Sequence, residues 1–130
     1  MKSETDNIEL ILPFKAEYVS IARLTVSGVA NRIGFDIETI EDIKVALAEV
    51  CNKLINTGSD KVEHFRITFQ ISNKNLNIVF DCQDESLKCI FPDGDEEFGI
   101  SIINALMDNV ELCNESSFIL SMSKGLEGNI

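Results

Sequence analysis

The chain has 130 residues, 45% of them apolar, and its 22 acidic and 11 basic side chains give a net charge of -11. This is the size of one ordinary domain, so we expect a single folded unit over residues 1–130. The charge argues against nucleic-acid and anionic-membrane partners and suits a basic protein partner. The four cysteines include no CxxC pair, which argues against a metal site. The first residues lack the basic residues and apolar run of a signal peptide, which argues against secretion. We expect a cytoplasmic protein.

The first half of the chain predicts a strand and two helices. Alternation over 8–12, before Pro13, predicts the strand. Apolar residues then recur every three or four positions, which predicts a helix over about 15–33. Its expected buried stripe is Tyr18, Ile21, Ala22, Thr25, Val29 and Ile33. A second helix follows, capped by Asp36 and ended by Gly58. Its expected stripe is Ile40, Ile43, Leu47, Val50, Cys51 and Leu54.

The second half of the chain predicts two hairpins separated by a polar segment and a short helix. We expect strands at 65–71 and 76–80 around a turn at 73–75, a loop or lid at 83–97, a helix at 99–107, and a last hairpin with strands at 110–113 and 118–122 around a turn at 114–116. The order β-α-α-β-β-lid-α-β-β predicts an α+β fold, a two-layer sandwich with helices on one face of a mixed or antiparallel sheet. Its expected aromatic core is Phe65, Phe69 and Phe80.

The second predicted helix also has a polar face. Glu49 and Lys53, with Asn56 or Thr57, follow one another at spacings of four and three, and Asp81 ends a nearby strand. These residues can form a functional surface. Alternatively, Glu49 and Lys53 form only a solvated ion pair that stabilises the helix by about 0.3–0.5 kcal/mol, and Asp81 is only a polar strand end. No activated nucleophile is expected elsewhere, since His64, Ser101 and Ser121 have no Ser/His/Asp set around them.

Two long runs of sequence carry a family resemblance. Residues 17–35 and 40–51 resemble the anti-sigma-factor serine-protein kinases of bacterial stress and sporulation control, which belong to the ATPase superfamily of gyrase, heat-shock chaperones and histidine kinases. The resemblance extends from about Ile8 to Met122. It implies a histidine-kinase-like ATPase fold, ATP and Mg²⁺ as cofactors, and a homodimer. It also implies a sigma factor and an anti-anti-sigma antagonist as partners in transcription regulation.

The first nucleotide motif of that family pairs a general base with a Mg²⁺-binding asparagine one helical turn later. By resemblance Glu49 is the catalytic base, but the asparagine position is Lys53. Asn52 is adjacent, yet one residue turns a helix by about 100°, so it points elsewhere. An ammonium group cannot ligate Mg²⁺, although it can contact phosphate directly.

The other two motifs are also incomplete. The resemblance makes Asp81 the acceptor for the adenine amino group, but Gln83 replaces the glycine that lets the nucleotide approach. Gly99 alone remains of the glycines that precede the phosphate-binding helix. The shortened lid and its flank, positions 81 to 97, carry a net charge of -6. This charge opposes the binding of an anionic nucleotide, unless the lid is solvated and points away from the pocket. Its charged residues are Asp81, Asp84, Glu85, Asp93, Asp95, Glu96 and Glu97 against Lys88.

Arg23 is the best-preserved position for partner binding. The resemblance implies that it contacts both the sigma factor and the antagonist, whereas an arginine on a helix surface can also be only a solubilising charge. Our main hypothesis is an anti-sigma-factor-like regulatory protein with a degenerate ATP site. The alternative is an active serine-protein kinase that phosphorylates an anti-anti-sigma factor with ATP, in which Lys53 replaces part of the metal's charge. A third hypothesis is a paralogue whose pocket binds another small ligand.

Overall fold

The computed structural model describes residues 5–87, 90–91, 98–112 and 118–126. Five strands and three helices follow the predicted order, with short 3-10 turns at Ala16–Tyr18 and Glu85–Leu87. The elements are β1 (Asp6–Pro13), α1 (Val19–Ile33), α2 (Ile37–Thr57), β2 (His64–Ser72), β3 (Asn75–Asp81), α3 (Phe98–Leu106), β4 (Asn109–Leu112) and β5 (Leu120–Gly125). Within the described ranges, no helix is long and apolar enough to cross a membrane.

The five strands form one antiparallel sheet in the order β1-β2-β3-β5-β4. Side chains on a strand alternate between the two faces, and here one face is buried against the helices. The predicted aromatic core of Phe65, Phe69 and Phe80 is fully buried in this layer. The opposite face is mostly polar and is open to solvent. The predicted α+β two-layer sandwich is therefore confirmed, with a sheet that is antiparallel throughout.

Helix α2 lies in the middle of the helical layer, packed against both α1 and α3. It begins where predicted, because the Asp36 side chain accepts a 2.8 Å hydrogen bond from the Thr39 N–H. Interaction with the Thr39 side chain, and then this contact with the Thr39 N–H, lowers the pKa of the Asp36 carboxyl. The helix ends before Gly58, whose positive φ of 67° suits glycine. The whole predicted apolar stripe of α2 is buried.

The buried face of α1 differs from the prediction. Ile21 is 42% exposed, and Thr25 and Ile33 are only half-buried. Small and β-branched side chains form the real core face, and the larger Ile21 lies outside it. They are Val19, Ala22, Val26, Val29 and Ala30.

Several predicted boundaries were wrong or untested. Helix α1 begins at Val19, later than the predicted start near residue 15, because a 3-10 turn forms first at Ala16–Tyr18. The turn between β2 and β3 contains only residues 73 and 74, because Ser72 pairs with Asn75, and Lys74 adopts a positive φ of 68°. Strand β5 begins at Leu120, two residues later than predicted, and continues to Gly125. The predicted turn at 114–116 lies outside the described residues.

Asp36→Ala should unfold at a lower urea concentration than the wild type at pH 7, because the first turn of α2 loses its cap. The folded-state pKa of Asp36 is lowered, so its contribution is present above the ordinary carboxyl pKa and is lost as the pH falls. The difference between variant and wild type should therefore narrow on acidification in urea titrations followed by circular dichroism. Glu38→Ala, in the same exposed turn, is the matched control. An equal loss in both variants would contradict the capping role.

Candidate functional site

The polar face of α2 brings together the two residues that matter most for the predicted chemistry. Glu49 and Lys53 are both half-buried and lie one helical turn apart. Asn52 is exposed and lies to one side, as the helical rotation requires. Thr57 donates a 2.8 Å hydrogen bond from its hydroxyl to the Lys53 carbonyl. A carboxylate and an ammonium group therefore share one half-buried surface of α2. Asn52 lies on a different side of the helix.

Asp81 lies on the other face of the sheet. Its neighbour Phe80 is buried toward the helices, so the Asp81 side chain projects onto the open face, opposite Arg66 of β2. The two carboxylate oxygens accept hydrogen bonds of 3.1 and 3.3 Å from one guanidinium nitrogen of Arg66. Glu9 lies 3.9 Å from the other nitrogen. The structure thus places Asp81 away from Glu49, in a cross-strand ion pair.

A buried carboxylate that the sequence analysis treated only as lid charge is Asp84. Its side chain is 3% exposed and accepts a 2.6 Å hydrogen bond from the Ser59 hydroxyl and 2.8 and 3.0 Å hydrogen bonds from the Ser86 hydroxyl and N–H. The contacts with Ser59 and then Ser86 lower the pKa of the Asp84 carboxyl. Ser59 also accepts hydrogen bonds from the N–H groups of Lys61 and Val62. Asp84 therefore joins the end of β3 to the loop after α2.

A cleft of about 270 Å³ lies beside this contact. Its lining comes from the loop after α2 and from the residues after β3, namely Thr57, Gly58, Ser59, Asp60, Lys61, Asp84, Ser86 and Leu87. Gln83 is exposed, while Cys82 packs against the core. The sequence signal for Asp84 was its spacing from Ser86, since an aspartate that caps a turn accepts from the residue two positions on.

The described part of the predicted lid is not an open loop. Leu87 and Phe91 are 2% and 4% exposed and belong to the hydrophobic core. The rest of the predicted lid, at 88–89 and 92–97, lies outside the described residues and includes Glu96 and Glu97. Gly99 is the second residue of α3. Of the described acids in this region, Asp81 is paired with the cationic Arg66, whereas Asp84 is hydrogen-bonded to neutral serine groups and keeps its negative charge.

Arg23 lies on the exposed side of α1, next to two large apolar side chains. Leu24 is 74% exposed and Ile21 is 42% exposed. Gly28 lies one turn beyond Leu24 and is also exposed, with open space around its Cα. We call Ile21, Arg23, Leu24 and Gly28 the α1 surface. Exposed apolar side chains around a charge are typical of a surface that contacts another protein.

The remaining candidates do not form a reactive site. A larger cleft of about 380 Å³ lies on the open face of the sheet and is lined only by polar residues, among them Ser121, whose hydroxyl donates a 3.0 Å hydrogen bond to Asn77. His64 is exposed. Burial raises the pKa of Cys51 to about 12, so that thiol is not reactive. Across the described ranges, no three or more His, Cys, Asp or Glu side chains are grouped to hold a metal ion.

Comparison with known proteins identifies the family. The sequence profile described as "Histidine kinase-like ATPase domain" matches residues 12–124. The chain belongs to this family. Among curated relatives it is similar to the serine-protein kinase RsbW of Oceanobacillus iheyensis, at 37% identity over 94% of this chain and 88% of the relative.

Two further relatives have the same name. The chain is 33% identical to the serine-protein kinase RsbW of Halalkalibacterium halodurans, over 95% of this chain and 86% of the relative. It is 32% identical to that of Bacillus subtilis, over 98% of this chain and 91% of the relative. An ATPase domain and a protein kinase both imply ATP, which proteins generally bind as its magnesium complex. The anti-sigma-kinase resemblance and the predicted ATPase fold are therefore confirmed.

Asp84→Ala and Ser59→Ala should each lower the urea midpoint of unfolding, because each removes one partner of a partly buried hydrogen bond. The double variant should lose clearly less than the sum of the two, since the shared contact can be lost only once. Asp60→Ala, in the same loop and exposed, is the control and should change little. Additive losses would show that Asp84 and Ser59 act independently.

Proposed function

We propose that this chain is an anti-sigma-factor-like regulatory protein that binds a sigma factor, or the antagonist of that sigma factor, through the α1 surface. The observation that carries the proposal is the exposure of Ile21 and Leu24 on either side of Arg23. These apolar groups have no core function, and Arg23 makes no ion pair with another described residue. Arginine with large apolar neighbours is a common composition of binding hot spots.

The charge of the chain supports the same class of partner. A net charge of -11 gives long-range attraction to a basic surface and repels nucleic acid. Sigma factors bind DNA and polymerase, so a protein that masks them has to face basic groups. Three relatives named as serine-protein kinases of the RsbW type, each aligned over nearly the whole chain, support a regulatory role in stress or sporulation control.

We further propose that the nucleotide site is degenerate, because the side chains present do not fit Mg-ATP. Lys53 has three N–H donors and no acceptor, so it cannot ligate Mg²⁺ where an asparagine is required. Asp81 lies on the wrong face of the sheet for an adenine acceptor and is engaged by Arg66. Gln83 adds a side chain where the motif needs glycine. Glu49 and Gly99 match the family motifs in residue type.

The second candidate function is an active serine-protein kinase. The observation that favours it is the shared half-buried surface of Glu49 and Lys53 on α2. In this alternative Glu49 accepts the proton from a serine hydroxyl of the antagonist, and Lys53 supplies positive charge nearby. The shared polar surface also leaves room for a third candidate, a paralogue that binds another small ligand. In every case we propose a homodimer in the cytoplasm.

Isothermal titration calorimetry with Mg-ATP and Mg-ADP separates the first two functions. The degenerate site should give no detectable heat of binding at nucleotide concentrations of about 1 mM. Lys53→Asn with Gln83→Gly should restore measurable binding in part, because it returns a Mg²⁺ ligand and opens the backbone. Lys44→Asn makes the same change elsewhere on α2 and should restore nothing. Micromolar binding by the wild-type chain would exclude the degenerate-site proposal.

Arg23→Ala should weaken the complex with the sigma factor or antagonist recovered by co-purification from the native host. The expected loss is about tenfold or more in affinity, the usual cost of truncating a hot-spot arginine. Arg32→Ala, exposed in the last turn of the same helix, controls for the loss of one positive charge. Surface plasmon resonance measures both. An unchanged affinity for Arg23→Ala would remove the α1 surface from the interface.

A further inference from the structure

The open face of the sheet carries a row of uncharged polar side chains that crosses all five strands. Each member is paired across the sheet with the next, in the order Asn7, Gln70, Asn77, Ser123 and Asn109. Four of the five are carboxamides. Because neighbouring strands lie about 4.8 Å apart, the row presents an amide or a hydroxyl at that interval across the sheet. We call these five residues the amide row.

The cleft of about 380 Å³ on this face lies over the amide row, and Gln70, Asn77, Ser123 and Asn109 are part of its lining. Of the nine described residues that line it, four carry carboxamides, four carry hydroxyls, and Glu111 alone is charged. A volume of this size lies within the usual range of small-molecule sites, about 300–1,000 Å³. The cleft therefore offers many neutral hydrogen-bonding groups and one carboxylate, which is exposed.

Two hydrogen bonds hold the centre of the amide row in one orientation. The Ser121 hydroxyl donates a 3.0 Å hydrogen bond to Asn77 Oδ1, and Asn77 Nδ2 donates a 2.7 Å hydrogen bond to Gln70 Oε1. Ser121 is 8% exposed and Asn77 is half-buried, so the centre of this network is packed into the floor of the cleft. The Gln70 NH2 group keeps capacity to donate, and the Ser121 oxygen keeps capacity to accept. Donors and acceptors are thus placed before a ligand arrives.

The residue types of the amide row are not those that a strand prefers. Strands favour β-branched and aromatic residues, and asparagine is depleted in them. Asn77 nevertheless lies in the middle of β3, and Asn75 and Asn109 begin β3 and β4. A threonine, such as Thr68 on the same face, would suit a sheet surface that meets only water. Residues that break a local preference are typical of functional sites.

We propose that this cleft binds a neutral, polyhydroxylated molecule of the size of a small sugar. Each sugar hydroxyl both donates and accepts, so it matches a lining of mixed amides and hydroxyls. An apolar ligand would bury these amides without hydrogen-bond partners, which is unfavourable. An anion would meet Glu111 and a net charge of -11. A protein interface would need apolar anchors, and the described lining has no apolar side chain.

The sugar site and the α1 surface lie on opposite sides of the molecule. The helices cover one face of the sheet, and the amide row lies on the other. A sugar in the cleft therefore leaves the α1 surface free, and the two sites should be occupied independently. This inference goes beyond the proposed function and does not depend on it.

A two-dimensional NMR titration of the 15N-labelled full chain with glucose and with trehalose tests the site. At least one of the two sugars should give saturable shifts of the amide signals of Gln70, Asn77 and Asn109, with a dissociation constant of about 1 mM or lower. The 6-phosphate of that sugar should bind at least tenfold more weakly, because it adds negative charge. If both sugars give no shifts, or shifts that stay linear up to about 50 mM, the proposal is overturned. Equal binding of the 6-phosphate would overturn the neutral-ligand assignment.

Variants locate the binding on the amide row. Gln70→Leu removes a free donor and should weaken sugar binding at least tenfold, as should Ser123→Val, which serves if the first variant is not folded. Thr68→Val changes the same face of β2 outside the cleft and is the matched control, with wild-type affinity expected. Arg23→Ala should also keep wild-type sugar affinity. Unchanged affinity in Gln70→Leu and Ser123→Val would overturn the site.

Discussion

The antiparallel sheet can bury only one of its faces, and this constraint determines where each strand side chain of the site points. Phe65, Phe69 and Phe80 must lie on the helix side, because only there are these rings buried in the hydrophobic core. Shifting a strand by one residue would expose all of them at once. The packing of these rings therefore fixes the direction of every polar neighbour, including Asp81.

The consequence for chemistry is a division of the polar residues between the two faces. Glu49 and Lys53 lie on α2. Asp81 lies on the open face of the sheet, where it forms an ion pair with Arg66. Asp84 serves the loop after α2 instead, through Ser59. A nucleotide would need these groups to converge. The α1 surface has no such requirement, since it needs only exposed side chains on one rigid helix.

The sequence predicted the fold well because the strongest signals were local or periodic. The Asp36 cap, the Gly58 ending and the α2 stripe depend on short-range chemistry that one sequence displays. The stripe of α1 was misplaced because packing against α2 favoured small residues such as Ala22 and Ala30 over Ile21. A periodic pattern identifies the apolar positions of a helix. It does not show which of them pack against a neighbouring helix.

The site was harder to predict because its geometry depends on pairing across the sheet. Motif matching assigned Asp81 by its neighbours in sequence, but strand alternation from Phe80 decides its face. Asp84 was counted only as a lid acid, since its burial depends on Ser59, 25 positions away. The exposure of Leu24 was also invisible before α1 was placed. Partner surfaces of this kind emerge only from tertiary packing.

The central proposal is that the nucleotide site is degenerate, and it follows that partner binding by this chain should not depend on a nucleotide. The most direct measurement is the dissociation constant of the purified chain for its co-purified partner, without nucleotide, with Mg-ADP and with Mg-ATP. The account predicts the same value in all three conditions, within a factor of about two. A tenfold difference between any two of them would contradict it, because only a working nucleotide site can couple to the α1 surface.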